Sequence, residues 1–178
     1  MNGLLIKNIR EFVYGAVDGT VTTFAVVAAA AGAGLSSTIV VILGLANLIA
    51  DGFSMGSSAY LASQSERDLA IKNKEPTKHR PFQEGMATFL AFLVVGLVPL
   101  VVYLSDVVFS LGSDPTYLFA LSSVLTGITF FVIGAVKGKI SDTHILKSAL
   151  ITLGLGAIAA ALSYLAGGVL SAIFGVAP

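Results

Sequence analysis

Glu11, Asp18, Asp51 and Met55 lie at the edges of, or inside, runs of residues that are otherwise almost wholly apolar. A carboxylate at bilayer depth costs about 3 kcal/mol on insertion scales unless it is neutralised, paired or hydrated, so it marks a functional candidate. Glu11 and Asp18 are seven residues apart, which puts them on one helical face, and Thr22 continues it. Asn47, Asp51, Met55 and Ala59 follow at steps of four on a second face. Oxygen ligands alone suit Mg²⁺, Ca²⁺ and Mn²⁺, and a thioether shifts preference toward later, softer ions. The set therefore points to Fe²⁺, with Mn²⁺, Co²⁺ and Zn²⁺ as competitors. Each residue also has a plainer reading. Met55 could fill packing space, and Asp51 could be protonated and bonded to Asn47 or Ser54. Asp18 beside Gly19 could stabilise a kink, and Glu11 could meet lipid headgroups together with Arg10.

These residues need elements that hold them at depth. A spanning helix takes about 20 mostly apolar residues. The chain has five such runs, at 11–33, 38–62, 84–104, 116–136 and 148–172, with the second expected to continue as helix to about Asp68. Hydrophobic residues make up 56% of the 178 and charged residues 11%, too few to cover a water-facing surface. The fold class expected is an all-α membrane protein forming one transmembrane domain over 1–178, with 65–81 as a short cytoplasmic connector. Lys7 and Arg10 precede the first run. Arg67, Lys72, Lys74, Lys78 and Arg80 fall between the second and third, and Lys137, Lys139 and Lys147 between the fourth and fifth. Those are all ten Lys and Arg, so the positive-inside rule puts the N-terminus in the cytoplasm and the C-terminus outside.

With hydrocarbon beginning near Phe12 and ending near Ala62, Asp18 lies about 9 Å in and Met55 about 10 Å in. The first two helices run antiparallel, so Asp18 and Met55 are expected to come level, with Asp51 a turn deeper. Gly15-xxx-Gly19 and Gly52-xxx-Gly56 flank the carboxylates and allow close helix approach. Glu66, Asp68, Glu75, Asp106, Asp114 and Asp142 are read as loop acids, Glu84 as the start of the third helix, and His79 and His144 as solvated cytoplasmic side chains.

Several classes of function are excluded. The absence of cysteine removes disulfides, thiolate metal sites and thiol redox chemistry. Zero net charge gives no case for nucleic acid. No Ser-His-Asp set, HExxH or phosphate loop argues for an enzyme. The first residues lack the basic n-region and cleavage site of a signal peptide, so the first run is expected to remain a membrane helix. No internal repeat is evident.

Arg10-Glu-Phe-Val-Tyr-Gly-Ala-Val-Asp18-Gly19, Ser54-Met55-Gly-Ser-Ser-Ala-Tyr60 and Ser65-Glu-Arg67-Asp68 resemble the vacuolar iron transporter family. Pro81-Phe-Gln, Pro99 and Leu162-Ser-Tyr164-Leu extend the resemblance over nearly the whole chain. The resemblance implies a five-helix protomer, a homodimer, and a dimer-interface pathway lined by the first helices. It implies export of Fe²⁺ or Mn²⁺ from the cytosol in exchange for protons, with no permanently bound cofactor. Asp18 and Met55 match the family's transmembrane metal-site Asp and Met, and Glu11 an acidic position nearer the cytosolic mouth.

The chain departs from the family in two places. Well-studied eukaryotic members carry a long Glu-rich insertion between the second and third helices, whereas the connector here is about fifteen residues. Many members have Gly-Glu-Tyr where this chain has Ser58-Ala59-Tyr60, and Asp51, eight residues from Ala59 on the same face, offers a carboxylate two turns deeper. The short loops point to a prokaryotic plasma membrane rather than a vacuolar one. The competing readings are a carrier or leak for another cation, and a non-transporting membrane assembly protein in which Asp18 and Asp51 only bond helices together.

Overall fold

The computed structural model describes residues 9–175; Lys7, one of the orienting cations, lies outside them. The described residues form six α-helices: α1 (Ile9–Gly32), α2 (Ser37–Lys72), α3 (Pro81–Gly96), α4 (Val101–Phe109), α5 (Pro115–Ile140) and α6 (Ile145–Phe174). A 3₁₀ turn, Val98–Leu100, joins α3 to α4, so that Pro81–Phe109 is one broken span. Five segments are thus long and apolar enough to cross a membrane, as the sequence predicts, and no strand occurs among the described residues.

Local chemistry sets the boundaries. Asp114 caps α5: its Oδ1 accepts from the N–H of Thr116 at 2.8 Å and of Tyr117 at 3.1 Å, and Pro115 occupies the first turn where no N–H is needed. The break between α3 and α4 falls at Pro99, which cannot donate to the helix ladder. The Ser122 hydroxyl of α5 donates to the Pro99 carbonyl at 2.6 Å, so a side chain from a neighbouring helix satisfies backbone freed by the break. The second helix outruns its expected end and reaches Lys72. Glu66 and Asp68 therefore stand on α2 rather than in a loop. Asp106 likewise belongs to α4, buried, with its Oδ1 accepting from the Ser113 N–H at 2.9 Å.

α1 is the central element, packing against α2, α3, α5 and α6. Around its C-terminal half, Phe24, Val27, Val40, Leu100, Tyr103 and Leu118 form the larger apolar core; around its N-terminal half, Ala16, Ala91 and Ile133 form a smaller one. Large apolar side chains on α2, α3, α5 and α6 point outward, among them Ile42, Phe53, Val94, Ile128, Leu155 and Leu165. Such a surface suits lipid, where no water is present to penalise it.

Candidate metal site

The glycine stripes set which helical faces remain free. A Cβ on Gly19 would stand 2.6 Å from the Phe92 carbonyl oxygen, and one on Gly15 would overlap the Thr88 carbonyl. On α2, a Cβ on Gly56 would lie 2.8 Å from Phe89 Cβ. Both stripes therefore press their helices onto α3. Glu11 and Asp18 of α1, and Asn47, Asp51 and Met55 of α2, are left only half-buried. Beside them Tyr14, Ser54 and Ser58 are exposed. A polar strip of the α1–α2 face is thus open at the surface of the chain, in a segment otherwise clothed for lipid.

Antiparallel packing of α1 on α2 sets Asp18 and Asp51 on neighbouring helices. Thr22 spends its hydroxyl within the helix, donating to the Asp18 carbonyl at 2.9 Å. The Asn47 amide nitrogen is buried and has no hydrogen-bond partner among the described residues. Such an orphan donor marks a place where an additional polar group or a water belongs.

Towards the charged end of the helices a cavity of about 500 Å³ opens between α1, α2 and α3. Glu11, Met55, Ala59, Ser63, Glu66 and Glu84 are on its walls, with Tyr14 and Thr88. Ser63 is 2% exposed and its hydroxyl lacks a partner among the described residues. The structure thus collects Glu11 and Met55 in one chamber, while Asp18 and Asp51 are not among its walls.

Glu66 and Glu84 escaped the sequence reading as site residues. The signal for Glu66 was present: Met55, Ala59, Ser63 and Glu66 prolong the polar stripe of α2 at helical spacing. Glu84 is hidden by a second role, since its Oε1 accepts from the Arg80 N–H at 2.8 Å and so closes the first turn of α3. His79, read as solvated, is half-buried: its Nδ1 is 3.4 Å from Glu66 Oε2 and 3.6 Å from Glu84 Oε1. His144 is exposed, at the start of α6. Among the described residues of one protomer, no three His, Asp or Glu side chains gather closely enough to hold a metal ion.

The model of the VIT family matches residues 9–80 and 68–168, which together take in the strips, the cavity and four of the five spans in full. The chain belongs to the VIT family. Curated relatives agree over most of their length. It is 26% identical to the vacuolar iron transporter of Toxoplasma gondii, over 94% of this chain and 76% of the relative. Identity to the vacuolar iron transporter of Plasmodium falciparum is also 26%, over 92% and 82%. Identity to vacuolar iron transporter 1 of Arabidopsis thaliana is 25%, over 88% and 83%. The alignment with the Toxoplasma protein runs over 231 residues, more than this VIT family chain possesses, so the relative carries residues with no counterpart here. The two family-model matches meet at 68–80, the end of α2 and its connector to α3.

Proposed function

We propose that this chain transports divalent metal, Fe²⁺ with Mn²⁺ as a second substrate, out of the cytosol in exchange for protons along a homodimer interface. The observation that carries the reading is the half-open polar strip of Asp18, Asp51 and Asn47 on an otherwise lipid-facing surface. Two carboxylates left against lipid cost roughly 3 kcal/mol each, and their mutual repulsion adds to it. A two-fold axis beside α1 would cover the strip with its own copy and bring four carboxylates together. That supplies the ligands one protomer lacks.

Each residue then has a role. Glu11, at the mouth, meets the ion in the cavity, with Glu66 and Glu84 adding negative potential that draws cations in. Met55, on the cavity wall, supplies the soft donor. Asp18 and Asp51 receive the ion at depth. A carboxylate away from bulk water carries either a proton or a cation, so a divalent ion entering between them displaces protons, and protons arriving from the far side release it. Asp51 takes over the charge that other members carry at the position of Ala59. The short connector supports a prokaryotic plasma membrane as the site of action and leaves the cavity rim to do the metal collecting.

The test is flux into liposomes holding purified protein, with Fe²⁺, Mn²⁺, Co²⁺, Zn²⁺, Mg²⁺ and Ca²⁺ offered in turn and internal pH followed simultaneously. Fe²⁺ and Mn²⁺ uptake with counter-movement of protons is expected. Proton flux indifferent to metal would favour a leak, and no flux in folded protein an assembly role.

A further inference from the structure

On the side of α2 and α3 away from the carboxylates, two depressions run into one another. An apolar groove of about 420 Å³ has Phe53, Phe82, Met86 and Phe89 on its walls and the touching backbones of Gly56 and Gly85 as its floor. A polar pocket of about 510 Å³ continues it past Tyr60 and Phe82, which border both, and holds Arg67, His79 and Arg80 with Gln64 and Gln83. Along α2 the groove extends from Tyr60 to Phe53, about 10 Å toward the bilayer centre.

The two arginines are the informative groups. Among the described residues, the ion pairs are those of His79 with Glu66 and Glu84, and neither guanidinium takes part in one. The Arg80 guanidinium donates only to the Gln83 side-chain oxygen Oε1, at 3.4 Å. Glu66 and Glu84 line the cavity on the other face of the α2–α3 pair and, at the pocket's edge, form ion pairs only with His79 among the described residues. Free cations thus stand at the polar end of an aromatic groove, at the level where the sequence places the cytoplasmic headgroups. Phe53 and Phe82 are each more than two-thirds exposed, so the groove is open to whatever lies alongside it.

We propose that this is a specific site for an anionic glycerophospholipid of the cytoplasmic leaflet, with its phosphate held by Arg67 and Arg80 and one acyl chain lying in the Phe53–Phe89 groove. A planar guanidinium pairs with phosphate through two parallel hydrogen bonds, and a basic pocket between membrane helices favours anionic headgroups. The groove and the cations belong to one molecule because they are continuous, which distinguishes a lipid from a free anion. The site requires only that the chain be embedded in a membrane, and it stands apart from the transport reading.

The experiment is native mass spectrometry of the purified full chain in detergent, titrated with phosphatidylglycerol, with phosphatidylcholine of the same acyl chains, and with inorganic phosphate. The wild type should retain phosphatidylglycerol in preference to phosphatidylcholine. R67Q/R80Q should weaken that retention roughly thirtyfold, at about fivefold per lost cation. R67K/R80K, which keeps the charge but not the paired hydrogen bonds, should fall between the two, and M86W, which fills the groove without touching the cations, should lose retention. Melting temperatures of the variants serve as the folding control. Equal retention of the two lipids, full retention by R67Q/R80Q, or inorganic phosphate raising the melting temperature as much as phosphatidylglycerol would each overturn the proposal.

Discussion

In the proposed mechanism, Met55 carries the choice of ion. It is half-buried on the wall that also holds Glu11, and it is the one soft donor there among hard oxygens. Met55→Leu keeps the volume and removes the sulfur. Fe²⁺ flux should fall several-fold and Mn²⁺ flux less, because the harder ion depends less on a thioether. Parallel flux assays of the two ions read the ratio, and an unchanged ratio would remove Met55 from selection. At this scale the sequence was informative about individual residues and less so about their partners. Asp18, Asp51 and Met55 announce themselves by being polar or soft inside apolar runs. Their grouping depends on how far α1 slides along α2, and a shift of one turn, about 5.4 Å, changes each residue's neighbour. His79 could not be placed from sequence, because its contacts with Glu66 and Glu84 follow from where the connector folds back onto α2.

The helices owe their register to glycine. Hydropathy alone locates the five spans, and charge gives the orientation expected of them, but neither says which faces meet. The spacing of Gly15 with Gly19 and Gly52 with Gly56 signalled close approach; that both stripes meet α3 became clear only in the folded chain. A contrast between two glycines tests this. Gly19→Ala sets a methyl 2.6 Å from the Phe92 carbonyl oxygen and must push α1 from α3, at a cost of about 1–3 kcal/mol. Gly154→Ala on α6 meets nothing within 4 Å and should leave stability within about 1 kcal/mol of wild type. Thermal unfolding in detergent measures both, and equal effects would show that close packing on α3 does not set the position of α1. The break at Pro99 has a similar history. The third run reads in the sequence as one uninterrupted span with Pro99 near its end; the break, and the Ser122 hydroxyl of the next span that satisfies it, came from the fold.

For the whole molecule, topology and assembly decide whether a chain of this size can carry an ion. The ten basic residues predict that Lys74 faces the cytosol and Leu111, in the α4–α5 turn, the other side. In this cysteine-free chain, Lys74→Cys and Leu111→Cys should label with an impermeant reagent from opposite faces of sealed vesicles. Labelling of both from one face would reject the orientation. The central claim is that the ion is held by carboxylates of both protomers at once. Heterodimers of wild type and Asp18→Asn, isolated through two affinity tags and reconstituted, test it most directly by their Fe²⁺ flux. A shared site predicts flux far below half that of the wild-type dimer, because one missing charge spoils the single site. Flux of half or more would mean that each protomer works alone or that Asp18 does not hold the ion, and would contradict the account.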